Sequence, residues 1–138
     1  MSFREKSAWA MGAVMLVTGA VYLRVMLALP ADLPVRAQIL PLMLWVLLVI
    51  GLSILVQVPL TVMERKAARQ PADEREQLAI ARAGRWSGVV MSVAAVSGAL
   101  LYLAHGNGNM LFYSVIMALI LAQFADYALQ IWFFRRGY

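Results

Sequence analysis

The sequence predicts an all-α membrane protein: four transmembrane helices, both termini in the cytoplasm (N-in/C-in), and a cytoplasmic helical extension leading into the third span. Three observations carry this. Hydrophobic residues make up 63% of the 138-residue chain and charged residues 14%, against roughly 45–50% and about 25% in soluble domains. The apolar residues gather into four runs, each long enough to cross a hydrocarbon core about 30 Å thick. Ten of the twelve lysines and arginines flank those runs on one side, and the positive-inside rule makes that side the cytoplasm.

The first run covers residues 9–29 and carries one charge, Arg24, close enough to its end to snorkel outward. It is too long for a signal-peptide core. Pro30 and Pro34 bracket a short turn that cannot continue the helix. The second run covers 39–63, with Pro41 near its start, where a missing N–H does little harm. Pro59, inside its last two turns, is expected to kink it. A polar loop, 64–85, follows. The third span is 86–104, His105 to Asn109 form a glycine-rich turn, and the fourth span is 110–134. The whole chain, 1–138, forms one four-helix domain.

Orientation rests on Arg4 and Lys6 before the first span, on Arg65, Lys66, Arg69, Arg75, Arg82 and Arg85 in the loop, and on Arg135 and Arg136 at the end. Only Arg24 and Arg36 approach the other side. Trp9, Trp86 and Trp132 on the inner side, and Tyr22, Tyr102 and Tyr113 on the outer, form the expected interfacial belt. The net charge of +5 therefore points to anionic lipid headgroups at the cytoplasmic loop, and not to nucleic acid. With no cysteine in the chain, disulfides and thiolate chemistry are excluded.

Within the loop, Asp73 reads as a helix cap and Glu76, three residues on, completes a capping-box pattern. One helix is expected to start there and run into the third span. Close packing in lipid needs small side chains. Gly84, Gly88, Ser92, Ala95 and Ala99 form one stripe, and Ala8, Gly12, Met15 and Gly19 another. The simplest expectation is that the first and third spans pack on each other; a homodimer seam is the alternative.

The polar residues inside the membrane are the candidate site. Gln123, Asp126, Tyr127 and Gln130 share one helical face. Asp126 lies nine residues before Arg135, roughly 13 Å inside that end at 1.5 Å per residue. An ionised carboxylate there costs roughly 2.5–3.5 kcal/mol, so it should face the bundle, be protonated or find donors. Gln57 in the second span lies at a similar depth, with Ser53 one turn further in. One reading makes these residues a proton or cation path; the other makes Asp126 a structural residue that fixes helix register. His105, with only Asn107 and Asn109 beside it, falls short of a metal site. No catalytic constellation, metal or cofactor is expected.

The run from Ser2 to Trp9, the stretch Asp73 to Glu76 before the third span, and the closing aromatic, Arg135, Arg136 and Gly137 together resemble a family of small bacterial inner-membrane proteins with four helices and no assigned function. That resemblance implies fold and location in the bacterial cytoplasmic membrane, and it accommodates an acidic residue in the last helix, here Asp126. The small multidrug-resistance transporters share length and helix number. Their hallmark glutamate in the first helix has no counterpart between Trp9 and Leu29. The function expected is that of a non-enzymatic accessory or regulatory membrane protein acting through a membrane-protein partner or self-association. The alternative is a small proton- or cation-coupled transporter using Asp126.

Overall fold

The computed structural model describes residues 2–30 and 33–136. The middle of the first turn, Ala31 and Asp32, and the last two residues, Gly137 and Tyr138, lie outside them. The described residues form five helices and no strand: α1 (Phe3–Ala28), α2 (Val35–Met63), α3 (Arg65–Arg69), α4 (Glu74–His105) and α5 (Gly108–Arg136). All but α3 are long and apolar enough to cross a membrane. By length and composition they are the spans of a multi-pass membrane protein. One end of the bundle holds the start of α1, the end of α5 and α3; the other holds the end of α1, the start of α2 and the α4–α5 turn.

Local chemistry sets the helix limits. Ser2 caps α1, its hydroxyl accepting from the Glu5 N–H at 3.2 Å. The helix stops at Leu29, which precedes Pro30 and is held extended. α2 starts after Pro34 and continues through Pro41 and Pro59 to Met63. Asp73 caps α4 by accepting from the Glu76 N–H at 2.7 Å. α4 ends at Gly106, whose φ of 66° is left-handed backbone that favours glycine. α1 and α4 start before their apolar runs because a capped first turn with acidic residues, Glu5 in α1 and Glu74 and Glu76 in α4, suits the helix dipole.

The lateral order is α2–α1–α5–α4. α1 is the central helix, with α2 on one side and α5 on the other. Its residues Ala8, Gly12, Met15, Gly19 and Tyr22 are buried, and their alternating spacing of four and three keeps them on one stripe. α5 runs antiparallel to it. A Cβ on Gly12 would lie 3.5 Å from the Tyr127 Cβ, and one on Gly19 would lie 2.8 Å from the Ile120 Cγ2. Around this contact Met15, Tyr22 and Ile120 form the buried core, closed by Trp45, Tyr113 and Phe124 among others.

The expected seam between the first and third spans is not formed. α4 packs along α5, not along α1. Its buried residues are Ala79, Ala83 and Gly98; a Cβ on Gly98 would collide with the Ser114 hydroxyl and lie 2.8 Å from its Cβ. Of the expected stripe, Gly84, Gly88, Ser92 and Ala99 are exposed and Ala95 is half-buried. The stripe follows the packed one by a single residue, which rotates it by about 100° around the helix. The two-residue turn after His105 keeps α4 and α5 neighbours, so α5 stands where α4 was expected.

The aromatic belt is also corrected. Trp9, Trp86, Trp132 and Tyr102 are exposed, but Tyr22 is buried and the Tyr113 hydroxyl is enclosed. Both lie on inward stripes of their helices, and span-end position alone does not reveal that.

Gly98→Val should destabilise the bundle by about 1–3 kcal/mol through overpacking against Ser114. Gly88→Val, where an added carbon meets nothing within 4 Å, should be close to neutral. Unfolding by steric trapping in bilayer discs reads both.

Candidate functional site

Asp126 sits on α5 and is half-buried. One turn later, Gln130 donates its Nε2 to the Asp126 Oδ2 at 2.8 Å. This bond lies within a single helix, so it satisfies one carboxylate oxygen without tying α5 to a neighbour. Tyr127 turns toward α1, its Cβ against Gly12, while Gln123 is exposed beside it. The four predicted residues of α5 thus form two pairs over two turns, Gln130 with Asp126 and Gln123 with Tyr127.

Gln57 does not join them. Its Nε2 donates to the Ser7 hydroxyl at 2.7 Å, and that hydroxyl lies 3.2 Å from its Oε1. The pair bridges α2 and α1. Because α1 stands between α2 and α5, the predicted constellation divides into two separate polar sites. Ser53 donates to the carbonyl of Val49 in its own helix at 2.7 Å, the usual local outlet for a hydroxyl in an apolar span.

The membrane centre between these sites and the hairpin end is closed. Met15, Thr18, Gly19 and Ile120 are buried, and Gly19 is pressed onto Ile120. Thr18 donates to the carbonyl of Val14 at 2.7 Å, and its own carbonyl accepts from the Trp45 indole at 2.9 Å. The polar atoms here are spent on the helix backbone.

A third group lies at the terminal end. Three consecutive residues of α1 reach three different segments. Arg4 Nε pairs with Glu76 Oε2 of α4 at 3.1 Å, Glu5 Oε1 with Arg135 Nε of α5 at 3.3 Å, and Lys6 with Glu64 at the end of α2. Arg4 also donates to the Gln70 carbonyl at 3.4 Å. Successive helical residues point about 100° apart, so a central helix can address three neighbours in one turn. Glu76 is therefore turned away from the capping box expected of it: Asp73 caps α4, and the Glu76 carboxylate goes to Arg4. The sequence did contain a signal for this region, since Ser2 and Glu5 have capping-box spacing and announce a helix start that exposes Arg4 and Lys6 on separate faces. The pairs are partly exposed, and surface pairs are worth about 0–1 kcal/mol each; their value here is in specifying neighbours.

Aromatic rings reinforce that end. The Arg135 guanidinium lies 5.2 Å from the Trp9 ring centre and that of Arg136 3.8 Å from Trp132, both within cation–π range. Arg65, Lys66 and Arg69 of α3 are exposed. Arg24 is exposed beyond the core. At the hairpin end, the His105 Nδ1 lies 3.0 Å from the carbonyl of Leu101. Asn107 accepts from the Asn109 N–H at 2.9 Å, and the Asn109 side chain donates to the Leu33 carbonyl at 2.9 Å, joining the two turns.

No protein-family model, curated protein or solved structure matches the chain.

Because the chain has no cysteine, introduced pairs report proximity without background. Ser7→Cys with Gln57→Cys should cross-link efficiently through a short bis-thiosulfonate reagent, whereas Gln57→Cys with Asp126→Cys should not. Efficient linkage of the second pair would mean that α2 and α5 meet directly.

Proposed function

We propose that the protein is a non-enzymatic accessory or regulatory protein of the bacterial cytoplasmic membrane that acts by binding another membrane protein. The terminal end lies in the cytoplasm and the hairpin turns outside, as the basic residues around α3 and at both termini indicate. There Arg65, Lys66 and Arg69 meet anionic lipid headgroups. The first turns of α4, before Trp86, stand in the cytoplasmic interface.

The observation that carries this reading is the exposed small-residue face of α4. In α1 such a stripe is consumed by α5. In α4 the stripe of Gly84, Gly88, Ser92 and Ala99 faces outward, and carbon added at Gly84 or Gly88 would meet nothing within 4 Å. Lipid chains gain nothing from glycine at such a position; another helix can approach closely there. The partner is a heterologous membrane protein, with a second copy of this chain as the competing occupant.

A second reading, a small proton- or cation-coupled transporter, is favoured by one observation. Asp126 is a carboxylate well inside a span, and its neighbour within the helix is an amide and not a counter-ion. Against it stand the separation of Gln57 from Asp126 and the tight contact of Gly19 with Ile120 across the path such a device needs.

A photo-crosslinking residue at Ser92 should give, in cells, a reproducible adduct with one membrane protein, and Gly88→Ile should abolish it. Lipid adducts alone would overturn the partner reading, and self-adducts alone would replace it with homo-oligomerisation. Asp126→Asn should leave folding and that adduct unchanged. Proton flux in liposomes that Asp126→Asn abolishes would establish the transporter reading instead.

A further inference from the structure

Arg24 is the one charge inside the apolar run of α1, and its side chain is exposed. It lies four residues before the end of the helix at Ala28, about 6 Å inside that end at 1.5 Å per residue. A guanidinium keeps its charge, and at the edge of the hydrocarbon it needs a counter-charge. The ion pairs described above all lie at the other end of the bundle. At the hairpin end Arg24 and Arg36 outnumber the one carboxylate of that stretch of sequence, Asp32, so this end is net positive.

Two spaces meet beside Arg24. Ala20 and Ala28, one turn to either side of it, leave a hollow of about 520 Å³ that also borders Val21 and Val25. The same two valines form one wall of a groove of about 470 Å³ between α1 and α2. Leu40, Leu44 and Leu48 form the other wall and Trp45 lies at its base. The Trp45 indole N–H is already donated to the Thr18 carbonyl, so the groove presents apolar surface. Ser7 meets Gln57 and Thr18 meets Trp45 across the two helices. That antiparallel register sets Arg24 level with Leu40 and Pro41, and sets Leu48 level with Leu16, about 12 Å nearer the membrane centre.

We propose that this groove binds one anionic phospholipid of the leaflet at the hairpin end, with its phosphate on Arg24 and an acyl chain along α1 and α2. The polarity matches: a fixed cation at the headgroup end and an apolar trough running inward. The planar guanidinium pairs two phosphate oxygens at once, and the chain supplies dispersion contacts that an unfilled trough forgoes. Net positive charge favours an anionic lipid over a zwitterionic one. The walls are branched valines and leucines, where close helix approach calls for small residues, so the trough suits a flexible chain and not another helix. The site lies at the opposite end from the lipid contacts of α3.

Native mass spectrometry of the full chain, in a detergent that strips loosely held lipid, tests this with phosphatidylglycerol and phosphatidylethanolamine added in turn. The wild type should retain one phosphatidylglycerol, bound roughly fivefold more tightly than phosphatidylethanolamine, the worth of one arginine at an anionic surface. Arg24→Gln should remove the preference, Arg24→Lys should keep most of it, and Arg69→Gln in α3 should leave it unchanged. Leu44→Trp, which fills the groove, should weaken both lipids alike. Phosphatidylglycerol with a diazirine in its acyl chain should label the two walls, between Val21 and Val25 and between Leu40 and Leu48. Were Arg24→Gln not to fold, the labelled positions and Leu44→Trp decide. Equal retention of the two lipids by the wild type would overturn the proposal, as would a preference that survives Arg24→Gln or label confined to other segments. A dimer that excludes the lipid and that Leu44→Trp dissolves would overturn it too, since the occupant would then be a second copy of the chain.

Discussion

The close approach of α1 and α5 at Gly12 and Gly19 is the contact on which the rest of the bundle depends. In lipid no hydrophobic force drives helices together, so dispersion at short range and interhelical hydrogen bonds must do so. Glycine permits that range: the missing side chains let Tyr127 and Ile120 lie directly against the α1 backbone. Once α5 occupies this stripe, the hairpin turn carries α4 to the far side of α5, and α2 is left the remaining side of α1. The order α2–α1–α5–α4 follows from one pair of glycines and two short turns.

The ion pairs at the terminal end act on that arrangement as selectors more than as a source of stability. Each is only partly covered and individually weak. Together they are strict about neighbours, because Arg4, Glu5 and Lys6 project in three directions and each meets the opposite charge on a different segment. A bundle with α4 and α5 exchanged would set Glu5 against a glutamate in place of an arginine. The aromatic rings of Trp9 and Trp132 beneath Arg135 and Arg136 hold the same end at the headgroup level, where amphipathic side chains are best accommodated.

Polar groups within the spans divide by depth. Near the terminal end, Gln57 finds Ser7 and Asp126 finds Gln130. At the centre the hydroxyls of Thr18 and Ser53 turn back onto their own helices. In the hairpin-end half, the hydroxyls of Tyr22 and Tyr113 and the Gln38 Oε1 are enclosed without direct protein partners. A polar atom in an apolar surrounding must be satisfied locally, across an interface or by water, and this small bundle uses different solutions at different levels. The closed centre at Gly19 and Ile120 is the main physical argument against a continuous path through the protein.

The sequence by itself determined the class and the number of candidate spans, because hydropathy over about twenty residues is a property of composition and needs no knowledge of neighbours. It also located Asp73 as a cap, since a cap bonds its own helix three residues on. It could not decide which stripe of a helix is buried, because two candidate stripes on α4 differ by one residue and only the rotation of α4 against α5 separates them. Gln57 and Asp126 share a depth along the sequence, yet depth carries no information about which helix stands between. Tyr22 and Tyr113 read as interfacial by position and turned out enclosed. Lateral order, helix rotation and the meeting of residues distant in the chain are set by side-chain packing summed over the whole bundle, and only the tertiary structure contains that sum.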